Sequence, residues 1–397
     1  MKGKFLPVRD GITEEDMKTT KSKLGNLLHK GSVKDIYQGD DKNNLIFDFS
    51  DRYSVFDWGE MPDQIQGKGM ALSAMGQFFF DWLERIETWR DWEPTIQLNS
   101  LEIDFLSDLK KNGLSHHALG LLSSRPSSFM VQKVDVPRLE ESGGVYNYSP
   151  YEEEPVQTLV PLEVIFRFGV PEGSSLLKRS NNKKYIQELG LVKLPKINDW
   201  YKRPLIEFST KLESTDRYIN YHEAQKISGL SDYEFARLHA LTTMVALRLE
   251  SFFKDLKIKL WDGKFEWAFD KREEKGRNFM LVDSIGPDEL RLSFDDEKLS
   301  KEFLRSFYRQ SSWLESVENA KAKAKEIGEI DWKLIAVNEY HAEPDALTNE
   351  YLKLAIGLYH GLANEVLASG GEVKLFEEAF SIEELVAAMK ELKKESL

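Results

Sequence analysis

The sequence predicts two lobes built from strands and helices together, and three observations lead there. A chain of 397 residues is too long to bury itself around one small core. "WDGKFEWAFD" (261–270) alternates polar and apolar residues with the period of a strand. Just before it, "SDYEFARLHALTTMVALRLESFFKDL" places Phe235, Leu238, Leu241, Val245, Leu249 and Phe252 at helical spacing.

The other elements follow in order. "SVKDIYQGDDKNNLIFDFS" reads as two strands joined by a polar turn, and "ALSAMGQFFFDWLERIETW" as a helix. "FMVQKVDV" (129–136) is a third strand and closes a β-rich first lobe, 1–136. The Pro-, Gly-, Ser- and Glu-rich stretch "PRLEESGGVYNYSPYEEEP" makes 137–156 an acidic, exposed insertion or linker. The second lobe, 157–397, opens on the strand-like "LVPLEVIFRFGV". Its long helix starts at a capping box, Ser231 with Glu234. "KREEKGR" is a hairpin turn between "WDGKFEWAFD" and the strand "NFMLVDSIGPDEL", which sets Asp283 roughly opposite Glu266. "SIEELVAAMKELKKE" is an amphipathic helix in the tail.

Composition narrows the function. A net charge of −13 argues against nucleic acid or an anionic membrane as the main partner. Zero cysteines exclude disulfides, thiolate metal sites and a cysteine nucleophile. The seven histidines show no metal-ligand spacing, and His116 and His117 read as structural or solvent-exposed. "MKGKFLPVRDG" has no apolar signal core, so a cytoplasmic location is expected. Nothing in the sequence sets an oligomeric state.

In "WDGKFEWAFD", Asp262, Lys264 and Glu266 share one strand face, opposite Gly263, Phe265 and Trp267. A solvated outer face explains that pattern as well as a site does. Two carboxylates converging from adjacent strands, Glu266 and Asp283, suit a divalent ion holding nucleotide phosphates. Lys264 between them would neutralise a transferring phosphoryl group or a substrate anion. "GSVKDIY" supplies a small turn and Lys34 ahead of a strand, as a phosphate-covering loop would.

Taken in order, "GSVKDIY", "DRYSVFDWGEMPDQIQGKG", "PLEVIFR" followed by "GSS", "FSTKLESTD", "WDGKFEW" and "LVDSIGPDELR" resemble the phosphoribosylaminoimidazole-succinocarboxamide synthase (SAICAR synthetase) family. The resemblance spans roughly residues 28–310, and "EYLKLAIGLYHGLANEVL" is similar to the family's last helix. It implies a two-lobed α+β fold related to kinase-like and ATP-grasp enzymes, with nucleotide in an interlobe cleft. It also implies an ATP- and Mg2+-dependent ligase joining carboxyaminoimidazole ribonucleotide (CAIR) to L-aspartate.

Carried over by motif, Gly31, Ser32 and Lys34 lie over the ATP phosphates, and Met130, Gln132 and Lys133 meet adenine. Lys211 joins the ATP set, while Glu266 and Asp283 hold magnesium. Arg167, Ser174, Ser175, Lys264 and Arg291 grip the ribonucleotide, with Asp57 and Lys68 lining its cleft. Lys264, Asp262, Asp216 and Arg291 are the implied catalytic residues.

The chain departs from the family at four places. Ser32 stands where many members have lysine, and Thr215-Asp216 replaces His-Asp. Ser284 replaces an acidic residue, and "RFGVPEGSS" is long enough that Ser174 and Ser175 compete for one place. Two other readings stay open: a small-molecule kinase of related fold acting on an inositol-phosphate-like alcohol, and a non-catalytic nucleotide-binding relative.

Overall fold

The computed structural model describes residues 19–20, 23–309, 311–329, 331–371 and 374–395. The opening "MKGKFLPVRDG" lies outside them. No helix among the described residues is long and apolar enough to cross a membrane.

The first sheet contains β1 (Thr19–Thr20), β2 (Leu27–Lys30), β3 (Lys34–Gln38), β4 (Asn44–Phe49), β5 (Ala118–Leu122) and β6 (Arg125–Gln132), in the order β1-β5-β6-β4-β3-β2. The expected hairpin is β3 against β4, with Lys34 opposite Phe49 and Gln38 opposite Leu45. The strand expected at 129–136 begins at Arg125 and stops at Gln132. Arg125 is held there by Asp48, whose carboxylate accepts from its Nε and Nη2 at 2.7 Å each.

The second sheet runs β11-β10-β9-β12-β14, all antiparallel, built from β9 (Thr158–Gly169), β10 (Trp200–Thr210), β11 (Tyr218–Ile219), β12 (Lys259–Glu273) and β14 (Leu290–Phe294). β13 (Gly276–Val282) pairs with the later part of β12. Its aromatic face is the core: Phe265 and Trp267 are buried, and Phe265 stacks on Phe166 with ring centroids 4.7 Å apart. The Asp232–Asp255 helix packs on β9, β10, β12 and β13. Its capping box forms as expected: Ser231 Oγ accepts from Glu234 N–H at 3.2 Å, and the Glu234 carboxylate accepts from Ser231 N–H at 3.0 Å.

The hairpin tip falls at Glu274 and Lys275, where the sequence put it. A bulge between Phe269 and Arg272 then slips the register by one residue, so Glu266 faces Val282 instead of Asp283. Asp283 follows the strand with φ +71°, in the left-handed region.

Two compact units emerge, and neither is contiguous as the sequence suggested. One gathers Phe78–Leu119 and Val131–Ser293. The other gathers the described residues up to Gln77, Gly120–Met130, and the chain from Phe294 onward. Within the latter, Tyr53 and Tyr308 hydroxyls meet at 2.7 Å and Asp63 accepts from Leu347 N–H at 2.7 Å. Such long-range ties leave no local trace in sequence.

The 137–156 segment is less of a free insertion than its composition suggested. Glu140–Ser142 pairs with Val145–Asn147 as a small exposed hairpin, but Tyr151 is fully buried and donates to Leu159 C=O at 3.0 Å. Tyr146 Oη accepts from Ser214 N–H at 2.9 Å, and Tyr148 Oη donates to Glu213 at 3.0 Å. The segment therefore braces the turn that follows β10.

A buried carboxylate and a half-buried imidazole make this fold acid-sensitive. Burial alone would raise the Glu234 carboxyl, but the buried Arg277 guanidinium and the Arg277 and Ser231 backbone N–H groups lower it to about 2. Burial pushes His239 down to about 4 from its ordinary 6.5. Both folded values lie below the unfolded ones, so both contributions are complete at high pH. The His239 part is lost as pH falls from 6.5 towards 4, and the Glu234 part as it falls from 4.5 towards 2. Melting temperatures across pH 7 to 3 should fall throughout, and Glu234→Gln should flatten the decline below pH 4.5. An unchanged slope in that variant would remove Glu234 as its cause.

Candidate active site

The second sheet turns its polar face into one charged lattice. Strand pairing sets Asp262 of β12 opposite Arg167 of β9 on one side and Arg291 of β14 on the other. Glu266 lies opposite Glu163, and Lys264 opposite Ile165, which itself faces Glu207 on β10. Residues two apart share a face, so the alternation in "WDGKFEW" continues across its neighbours. Gly263 is required behind this face, because a Cβ there would lie 2.7 Å from the Phe166 ring and 2.6 Å from Leu290.

Two clusters result. In the first, Lys211 Nζ donates to Glu266 Oε1 at 2.6 Å and to Glu163 Oε1 at 3.3 Å. Lys264 Nζ donates to Glu163 Oε1 and stands 3.8 Å from Glu266 Oε1. Burial alone would lower both ammonium pKa values, but the Glu163 and Glu266 carboxylates raise them above the usual lysine range. Both lysines are therefore fixed cations, suited to neutralising charge and not to taking up protons.

In the second cluster, buried Arg167 donates from Nε to Glu207 Oε2 at 2.8 Å and from Nη1 to Ser174 Oγ at 3.2 Å and to Asp262. Arg291 Nε lies 3.4 Å from Asp262 Oδ1. Ser174 is the serine that meets Arg167, whereas Ser175 Oγ pairs with Tyr218 Oη at 3.0 Å. Asp216 is exposed in the turn after β10, and its charge helps to raise the Lys211 pKa.

Asp283 is half-buried at the end of β13, and its carbonyl accepts from His117 Nε2 at 3.2 Å. His117 is buried, and the His116 side chain is only 2% exposed, so of the structural and solvent-exposed readings the structural one fits both. Glu266 on β12 and Asp283 just beyond β13 both offer hard carboxylate oxygens, the donor type that suits magnesium shared with phosphate oxygens. Among the described residues another trio draws together, Asp81, Glu84 and His116, with ligand atoms within 4.8 Å. His116 Nδ1 accepts from Ala118 N–H at 3.1 Å, which leaves the ring proton on Nε2 and makes that nitrogen a donor instead of a ligand.

The remaining expected residues belong elsewhere in the fold. Gly31 N–H bonds Lys34 C=O at 3.0 Å in a tight turn with Ser32 exposed, and Lys34 Nζ lies 4.3 Å from the Phe47 ring centroid. Asp57 is paired with Lys321 at 3.2 Å. Lys68 is fully buried, its Nζ 5.2 Å from the Tyr359 ring centroid. All of these lie in the unit that contains β3 and β4. Met130 is half-buried on β6, Gln132 hydrogen-bonds Gln157, and Lys133 is exposed. Sequence reasoning picked out Glu163 only as projecting with Arg167 from an apolar strand, and did not place Glu207, Arg179, Tyr218 or His117 in a site. A signal existed for Glu207 too: it sits inside a strongly apolar strand, where an unpaired carboxylate would be costly.

An α+β fold whose sheet carries such a lattice of carboxylates and fixed cations is chemically suited to anionic ligands. The SAICAR synthetase family model matches residues 27–325. A putative phosphoribosylaminoimidazole-succinocarboxamide synthase of Archaeoglobus fulgidus is 34% identical over 91% of this chain and 99% of its own length. The synthase of Thermoplasma volcanium is 30% identical over 71% of this chain and 83% of its own. The SAICAR synthase of Saccharomyces cerevisiae, solved in complex with SAICAR, shares the fold with a TM-score of 0.54 at 20% identity, covering 88% of this chain and 98% of that one. The chain belongs to the SAICAR synthetase family, whose members are ATP-using ligases of purine biosynthesis.

Proposed function

We propose that this chain condenses CAIR with L-aspartate at the expense of ATP, giving SAICAR, ADP and phosphate. The observation that carries the reading is the lattice itself, which pairs every carboxylate with a cation on a face shared by four strands.

A carboxylate is a poor electrophile towards an amine. The CAIR carboxylate therefore attacks the γ-phosphoryl group of ATP, forming an acyl phosphate and releasing ADP. The aspartate amine then attacks the acyl carbon, phosphate leaves with the bonding pair, and the nitrogen loses a proton as the amide forms. Lys264 and Lys211 offset the negative charge that gathers on the transferring group. Arg167, Arg291 and Ser174 grip the ribonucleotide, the arginines through planar forks that match carboxylate and phosphate oxygens. Positioning supplies much of the rate, since both steps need two anions or an amine and an acyl group held in line.

Gly31, Ser32 and Lys34 cover the ATP phosphates in this reading, Met130, Gln132 and Lys133 meet adenine, and Asp57 and Lys68 line the substrate side. Asp216 faces the aspartate amine, where Thr215 gives it no histidine neighbour. Glu266 and Asp283 are the residues that would hold Mg2+, which when bound screens the phosphate oxygens. A cytoplasmic location goes with this metabolic role.

The deciding assay is ADP release by the purified chain with Mg-ATP and CAIR, with and without L-aspartate. Release that needs both co-substrates is the expected result. Release with an alcohol acceptor and no need for aspartate would replace the ligase by a kinase, and ATP binding without turnover would leave a non-catalytic relative.

A further inference from the structure

We infer that Glu207 is the positioning residue of the anion subsite and that Arg179, which it holds, is a further residue gripping the ribonucleotide's phosphate. The inference rests on the ligase reading for the identity of the anion.

Glu207 is wholly buried on β10, yet it makes no contact expected of a catalytic acid. Its Oε2 accepts from Arg167 Nε at 2.8 Å, while its Oε1 accepts from Arg179 Nη2 and from Tyr185 Oη, the latter at 2.6 Å. One carboxylate thus aligns two guanidiniums from different elements: Arg167 on β9 and Arg179 in the last turn of the Ser175–Arg179 helix. Tyr218 supports the same guanidinium from another side, its ring centroid 3.4 Å from Arg179 Cζ. Tyr218 Oη in turn meets Ser175 Oγ, so the segment carrying Ser174, Ser175 and Arg179 is fastened at both ends.

A spare donor points to the ligand. The Arg179 Nε is buried with no hydrogen-bond partner, while its Nη2 is bound to Glu207. A buried donor left unpaired is costly, and an oxygen of a phosphate monoester would satisfy it beside the Arg167 guanidinium. Arg167 cannot turn towards the anion freely, because Glu207, Asp262 and Ser174 hold its Nε and Nη1. Glu207 therefore trades the freedom of two long side chains for a fixed pair of forks.

The test compares Glu207→Gln, Glu207→Asp and Arg179→Ala with the parent chain. Three readouts are needed: separate KM values for CAIR, ATP and L-aspartate, the rise in melting temperature on adding inorganic phosphate, and the melting temperature itself. Arg179→Ala should raise the CAIR KM roughly ten- to hundredfold, as loss of a charged hydrogen bond does, and should abolish the phosphate-induced stabilisation. Glu207→Gln should raise the same KM while the ATP and aspartate values hold, and Glu207→Asp should restore part of it. Should Glu207→Gln fail to fold, Arg179→Ala still decides, because its side chain is partly exposed.

Arg179→Ala with an unchanged CAIR KM and unchanged phosphate stabilisation would overturn the inference. So would Glu207 variants whose three KM values and melting temperature all worsen together. If the parent chain shows no aspartate-dependent ADP release, the reaction is wrong, and the phosphate stabilisation of parent against Arg179→Ala alone then upholds or sinks the subsite.

Discussion

Lys264→Ala is expected to cut aspartate-dependent ADP release by about two to three orders of magnitude, the usual cost of removing one preorganised electrostatic group. Lys264 touches Glu163 and stands beside Glu266, and these two glutamates face each other directly across β9 and β12. Without its ammonium, Lys211 alone separates them. Like charges in opposed positions of a sheet repel, so the loss has a structural component as well. Lys264→Met, which keeps length and apolar stem, separates the two: a melting temperature near the parent's with turnover still lost would mark the charge as the cause. Turnover within a few-fold of the parent in both variants would remove Lys264 from the mechanism.

The second large effect is expected from Arg167→Ala. Arg167 is 2% exposed, and both its carboxylate partners are buried with it. Burial by itself would lower the Arg167 pKa, but Glu207 and Asp262 raise it above the ordinary arginine value, so it is charged at every working pH. Its removal leaves Glu207 to Arg179 and Tyr185 and Asp262 to Arg291 at 3.4 Å, so part of the cost of about 3–5 kcal/mol for deleting one partner of a buried pair is expected. Urea denaturation measures this directly. A loss below about 1 kcal/mol, the scale of an exposed pair, would mean that water reaches the cluster freely. Arg167→Lys should recover some stability but little CAIR affinity, because an ammonium offers no planar fork.

How far these features were legible in the sequence follows from how local their causes are. The Ser231–Glu234 cap and the 232–255 helix depend on neighbours a turn apart, and both were readable. So was the face shared by Asp262, Lys264 and Glu266, because strand alternation needs only the strand itself. Which residues stand opposite that face depends on pairing with β9 and β10, which lie far away in the chain, and the roles of Glu163 and Glu207 were hidden for that reason. The bulge at Phe269–Arg272 shows the limit more finely: the hairpin tip was placed correctly, and a single unpaired residue still moved Asp283 out of register with Glu266. Composition misled once, since the polar 137–156 segment conceals Tyr151 in the core.

The interleaving of the two units sets an order on biosynthesis. Every residue of the unit bearing the charged lattice has been translated once Ser293 emerges. The unit holding β3 and β4 must wait for Tyr308 to reach Tyr53 and for Leu347 to reach Asp63. At ribosomal rates of about 5–20 residues per second, the remaining stretch takes roughly 5–20 seconds to appear. During that interval the segment around Tyr53 and Asp63 lacks its late partners and is the part of that unit left waiting.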